Sequence, residues 1–288
     1  MILIKAIRKK FPMSEQFPFQ LVFKDTKSPQ SELPDHLHDW YEIVYVYSGN
    51  GMFFIDSSFY EMMPGDVFLI PRNTIHRAMP QRSEPVTSSI LYFSSAILPD
   101  LSLGDAFSLT AIFEQLRSSK QFRLSLEGTD QEHIQMLIED IRQELEEVQQ
   151  GSRYAVMLTL HRIIVALSRI QSSTYREPSS LTSTSSTWMK EIVSYIELNF
   201  HSSLTLSFLS QKAHVSPEHF SRVFKQMTGM PLTDYLHTKR ILKAKRLLKD
   251  TNLAIEVLAE QCGFQSMPHF HRIFKKITGK TPAVYRRR

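Results

Sequence analysis

At 288 residues and 42% hydrophobic content, the chain is long enough for two domains with separate cores. Its net charge of +5 is divided: residues 188–288 carry 17 Lys and Arg against 7 Asp and Glu, and the first 187 carry 17 against 22, so the positive charge sits on one segment suited to phosphate. One cysteine, Cys262, excludes a disulfide framework within the chain and a cysteine zinc site.

The N-terminal stretch MILIKAIRKKF has no apolar run of signal-peptide length, and no segment approaches a membrane span, so the expected location is cytoplasmic. From residue 19 to 98 the chain alternates like short strands, at Phe19–Phe23, Glu42–Tyr47, Met52–Ile55, Val67–Ile70 and Ser89–Phe93, separated by Gly49-Asn50-Gly51, Pro64-Gly65-Asp66 and Pro71-Arg72-Asn73. An antiparallel β domain over residues 1–105 is expected.

A second pattern lies within it: His36-x-His38-x3-Glu42-x6-Gly49, then Gly65-x5-Pro71-x-Asn73-x2-His76-x3-Pro80. If 36–42 is a strand, period-2 geometry puts His36, His38 and Glu42 on one face, with His76 approaching from the turn after Pro71. The pattern is similar to the two cupin motifs, departing from them at Asn73, where glycine is usual, and at Pro80, where asparagine is usual. That resemblance implies a cupin-like barrel with these groups facing its interior.

After Phe93 the period becomes helical, at Ala106–Ser118, His133–Val148 and Tyr154–Ile170. The middle helix is acidic outside and apolar within, at Ile134, Leu137, Ile138, Ile141 and Leu145. Residues 106–171 are read as a helical segment for packing on the β domain or on a second subunit. Residues 172–187, rich in Ser and Thr, read as a flexible linker. Ser186 or Thr187 then caps a helix over Trp188–Phe200 that buries Met189, Ile192, Val193 and Ile196.

The last seventy residues contain one pattern twice, fifty residues apart: SPEHFSRVFKQMTGMPLTDY from Ser216 and SMPHFHRIFKKITGKTPAVY from Ser266, identical at nine of twenty positions. Each copy places apolar residues at i, i+3, i+4 and i+7 and ends on a glycine, Gly229 or Gly279, as a helix does. A shorter apolar segment precedes each, from Leu206 and from Ile255. Helix, tight turn and basic-faced helix make two helix-turn-helix units, over about 206–228 and 254–278. A connecting helix over Thr233–Lys249 spans about 25 Å at 1.5 Å per residue. Base edges fall to Glu218, Ser221 and Arg222 in the first unit and Met267, His271 and Arg272 in the second; phosphates fall to Lys225, Gln226, Lys275 and Lys276.

Residues 188–288 resemble the DNA-binding domain of the AraC/XylS family of bacterial transcription regulators, along Tyr235-Leu236, Arg240, Ala244, Leu247-Leu248, Ile255, Ala259, Gly263-Phe264, Phe270, Arg272, Phe274-Lys275, Gly279, Thr281-Pro282 and Tyr285-Arg286. The chain departs from that pattern at Ser266-Met267-Pro268-His269, where Asp-x-Ser-Tyr is common, and at Ala254-Ile255-Glu256-Val257, where a Ser-Ile-x-Glu capping box is common. The resemblance implies an α+β protein of two domains: a cupin-like antiparallel β-barrel followed by helices, then an all-α domain with two helix-turn-helix units.

It also implies a regulator, not an enzyme, whose partners are promoter DNA, a small-molecule effector, a second copy of the chain and RNA polymerase, with no membrane and no cofactor. The effector, a sugar or sugar derivative, falls to His36, His38, Glu42, Arg72 and His76, beside Trp40 and Tyr41. His36, His38, Glu42 and His76 are also the residues that would hold a metal, but sensor domains of this family do not generally carry one, so none is favoured. The competing function is a metal-dependent cupin enzyme with an autoregulatory DNA-binding tail. A DNA-repair alkyl acceptor, which needs reactive N-terminal cysteines, is excluded by the single Cys262.

Overall fold

The computed structural model describes residues 17–27, 38–99, 107–173 and 187–287, which fall into two compact units, one within 17–173 and the other within 187–287. The N-terminal residues, most of the Ser/Thr-rich linker with its capping Ser186, and His36 lie outside the described residues.

The first unit is built from β1 (Phe19–Lys27), β2 (Tyr41–Ser48), β3 (Gly51–Ile55), β4 (Ser58–Met62), β5 (Asp66–Ile70), β6 (His76–Pro80), β7 (Val86–Phe93) and β8 (Arg123–Ser125). They form two antiparallel sheets, one of five strands in the order β1-β7-β2-β5-β8 and one of three in the order β4-β3-β6. The sheets meet through apolar contacts such as Phe53 on Phe68, with ring centroids 4.9 Å apart. β5 is buried along its whole length and β2 over its first six residues. Both faces of these strands are covered, which is why their sequences run apolar without alternation. β4, β6 and β8 add to the strands read from sequence, and His76 begins β6 instead of lying in a turn.

Three helices complete the unit: α1 (Ala111–Ser119), α2 (Gly128–Glu147) and α3 (Ser152–Ser173). Ile134, Leu137, Ile138 and Ile141 of α2 share one core with Leu160, Ile163 and Leu167 of α3 and with the five-stranded sheet. Gln135 donates to the Tyr45 hydroxyl at 2.6 Å. The apolar stripe of α2 is therefore covered within the chain, apart from Leu145, which is exposed.

The second unit is all helix: α4 (Thr187–Asn199), α5 (Leu206–Lys212), α6 (Pro217–Thr228), α7 (Leu232–Asp250), α8 (Ile255–Gln261), α9 (Met267–Thr278) and α10 (Pro282–Arg286). The duplication extends to hydrogen bonds. Thr228 Oγ1 donates to Phe224 O at 2.7 Å and Thr278 Oγ1 to Phe274 O at 2.8 Å, and each helix then ends on a left-handed glycine, Gly229 at φ +80° and Gly279 at φ +77°. Phe220 and Phe224 are buried in the first copy, and Phe270, Ile273 and Phe274 in the second. Cys262 is fully buried in the second core, where desolvation raises its thiol pKa to about 11; it is an inert filler.

The helix starts differ. Ser216 Oγ accepts from His219 N, and Thr205 caps α5 in the same way, whereas Ala254 at the N-cap of α8 offers no side-chain acceptor. Val257, three residues on, is 42% exposed. Ala254→Ser with Val257→Glu should therefore restore a reciprocal capping box and raise stability by about 1 kcal/mol. A urea midpoint that did not rise would show that the turn at 251–254 cannot accommodate the box.

Candidate functional site: two exposed readers and a buried polar cluster

The DNA-facing candidates are organised by α6 and α9. Amphipathic burial of the phenylalanines forces the opposite faces outward. Glu218, Ser221, Arg222, Lys225 and Gln226 are exposed on α6, and His271, Arg272, Lys275 and Lys276 on α9. Met267 differs: it is half-buried and packs against the second core, because α9 begins one residue before Pro268. Arg222 Nη2 donates to His219 Nδ1 at 3.0 Å, which steadies the guanidinium over the first turn of its helix.

Between the two copies runs α7, whose 19 residues correspond to about 28 Å. Its Tyr235 and Leu236 are buried toward the first copy, and its Ile241, Ala244 and Leu248 belong to the core of the second. Arg240 on the same helix donates to Phe200 O at 2.7 Å and Ser202 O at 2.8 Å. Lys239 is buried and ion-paired with Glu197, tying α4 to α7. Of the basic residues on α7, these two are structural.

A cleft of about 590 Å³ between the copies is lined by residues that include Lys225, His237, Phe264 and His269. The His237 ring lies parallel to Phe264 at 6.2 Å and edge-on to His269 at 5.0 Å. Burial first, then the neighbouring His269 and Arg240, hold the His237 pKa down from 6.5 to about 4. The unfolded chain gains a proton at this residue as pH falls through 6.5, and the folded chain does so only near 4. The contribution to stability is therefore intact above 6.5 and lost as pH falls from 6.5 toward 4. Denaturation midpoints at about pH 7.5 and about pH 5 should differ, and His237→Asn should shrink the difference. Equal sensitivity in both proteins would remove His237 from the account.

In the first unit the structure brings together His38, Glu42 and His76. All three are buried, at 2–3% exposure. His38 Nε2 lies 3.0 Å from Glu42 Oε2, and His76 Nε2 lies 3.1 Å from the same oxygen. The other ring nitrogens face backbone carbonyls, His38 Nδ1 toward Trp40 O at 3.0 Å and His76 Nδ1 toward Thr74 O at 2.9 Å. Burial pushes His38 down and keeps it neutral. Burial also opposes the Glu42 charge, but His76 and His38 outweigh it and hold the carboxylate well below its ordinary range.

Strand parity is not what joins the three groups, because β2 begins only at Tyr41 and His38 sits in the bend before it. Arg72 points elsewhere, donating to Asp39 O at 2.8 Å and Ser95 Oγ at 3.0 Å, with its guanidinium 5.9 Å from the Tyr41 ring. Arg72 therefore braces the segment next to His38 without entering the cluster. The two imidazole nitrogens and the carboxylate oxygen lie within 4.8 Å of one another, a donor set that suits Mn, Fe, Ni or Zn, so the residues present fit the metal a cupin motif implies.

Comparison with known proteins agrees with this organisation. The profile of the AraC-like ligand binding domain matches residues 19–164, half of the chain, and that of a helix-turn-helix domain matches 209–288. The HTH-type transcriptional activator RhaR of Escherichia coli O139:H28 is 25% identical over 286 residues, covering 98% of this chain and 96% of its own. RhaR of Enterobacter sp. strain 638 is 24% identical, covering 93% and 92%. Among solved structures, the DNA-binding domain of AdpA in complex with a target DNA is 31% identical, covering 34% of this chain and 87% of that one, with a TM-score of 0.33. No helix among the described residues is long and apolar enough to cross a membrane. With a ligand-binding domain ahead of a duplicated, basic-faced helix-turn-helix domain, the chain belongs to the AraC family of transcription regulators and is a DNA-binding protein, not an enzyme.

Proposed function

We propose that the chain is a cytoplasmic transcriptional activator that answers to a sugar or sugar derivative. The observation that carries the DNA part is the outward display of Arg222 and Arg272 at matching positions of two helices joined by one connector. Each arginine addresses a guanine through O6 and N7, with Glu218, Ser221 and His271 beside them on base edges and Met267 at the margin. Lys225, Gln226, Lys275 and Lys276 take phosphates. Successive major-groove faces lie about 34 Å apart, beyond the roughly 28 Å of α7, so one chain covers two adjacent groove segments and the DNA bends toward it.

The effector is read in the first unit, around the polar cluster of His38, Glu42 and His76, with Arg72, Trp40 and Tyr41 close by; His36 belongs to the same proposal. Likeness to RhaR along nearly the whole chain supports the activator reading. Activation further implies a homodimer and contact with RNA polymerase. Effector binding acts by its different affinity for two states of the protein, with a coupling of about 1–3 kcal/mol.

Genome-wide mapping of bound sites tests the reading, since the neighbouring genes name both operator and inducer. Titrating that operator with the full chain should show a five- to 150-fold change in affinity on adding the inducer, on the order expected for such coupling. Equal binding to operator and random DNA would reject sequence-specific regulation. An operator affinity that no compound of the neighbouring pathway altered would reject the effector.

A further inference from the structure

We propose that His38, Glu42 and His76 bind a divalent first-row transition-metal ion that clasps the two sheets of the first unit together. The argument starts from a count of protons. Two neutral imidazoles supply two N–H groups, yet their four nitrogens all face oxygen acceptors: Trp40 O, Thr74 O and, twice, the Glu42 carboxylate. Two nitrogen lone pairs are therefore pointed at oxygen lone pairs. Doubly protonating both rings would answer this by burying two cations side by side, with ring centroids 5.2 Å apart.

A cation answers it differently. Each Nδ1–H goes to its backbone carbonyl, a partner that fixes the tautomer and turns the Nε2 lone pair inward, as in metal-bound histidines. The spacing agrees: two bonds of about 2.1 Å at a right angle separate their donor atoms by about 3.0 Å. The two measured separations from Glu42 Oε2 are 3.0 and 3.1 Å. Two histidines and one carboxylate leave coordination positions open. Glu42 belongs to β2 of the five-stranded sheet and His76 opens β6 of the three-stranded one, so the ion would bridge strands that share no backbone ladder. The effector proposal uses the same residues, but the metal claim stands on their geometry alone and is read without effector or DNA.

Full-length protein, stripped with a chelator and dialysed against Co²⁺, should retain one ion per chain, show visible d–d absorption, and unfold at a higher temperature than the stripped form. Zn²⁺ should displace the Co²⁺. Glu42→Gln, which keeps the side-chain shape and removes its charge, should weaken Co²⁺ binding at least about 100-fold and abolish the thermal shift. Less than half an equivalent retained by the wild type would overturn the proposal. So would retention by a folded Glu42→Gln protein equal to that of the wild type, which would place the ion on surface histidines. If the variant does not fold, the proton NMR spectrum of the Co²⁺-loaded wild type decides: two strongly shifted, exchangeable Nδ1–H signals are expected, and their absence would overturn the assignment.

Discussion

Gly263→Ala is expected to destabilise the second helix-turn-helix unit by roughly 3–5 kcal/mol, among the largest effects of any single substitution in the DNA-binding half. Gly263 holds φ +85° in the turn between α8 and α9, and a Cβ there would sit 2.2 Å from the carbonyl oxygen of His201. That oxygen cannot easily retreat, because Arg240 grips the carbonyls of Phe200 and Ser202 on either side of it. The strain of a left-handed alanine thus adds to a backbone collision. Against a total stability of about 5–15 kcal/mol, the loss should be visible as an early urea transition and as lost DNA binding. His214, at φ +55° in the equivalent turn of the first unit, already carries a side chain in the left-handed region. His214→Gly should therefore change stability by less than about 1 kcal/mol. Comparable midpoints for Gly263→Ala and the wild type would mean that the loop at 200–203 yields freely.

The second large effect is expected on DNA. Replacing Arg222 and Arg272 together by Ala should cost roughly 2–6 kcal/mol of operator affinity, the sum of two losses of about 1–3 kcal/mol at separate sites. Each single variant should relax preference at one position of the operator. Lys275→Ala should instead weaken all sequences alike and flatten the salt dependence. The measurement is a titration of operator and random duplex at two salt concentrations. If Arg222→Ala lost affinity equally for both duplexes, the residue would be a phosphate contact held in place by His219.

The helical half was legible because duplication doubles every signal: matching phenylalanines, matching Arg-Lys faces and matching terminal glycines identify two helices where either copy alone would be an ordinary amphipathic segment. The β half was less legible. β2 and β5 are buried on both faces and so lack the alternation that marks a half-buried strand. The β3–β4 hairpin turns at Asp56-Ser57, with Asp56 at φ +58°, and no glycine advertises it. β8 is three residues long. His38, Glu42 and His76 were identified as a set from their spacing, but the reason they meet is tertiary: a bend before β2 and the start of β6 on the opposite sheet. Arg72, their neighbour in sequence, is drawn away by the carbonyl of Asp39, which no local pattern announces.

The connector α7 constrains how such a sequence can drift. Because one helix contributes to the packing of both readers, the angle between their exposed faces is set by the number of residues separating them. A single inserted residue would rotate the second reader by about 100° and advance it by about 1.5 Å; seven would nearly restore the angle and overshoot by about 10 Å. The outer residues of α6 and α9 can change one at a time and retarget the protein to new operators, whereas insertions and deletions between residues 235 and 248 cannot. Relatives with different targets should therefore differ freely in letters across this interval and hardly at all in its length.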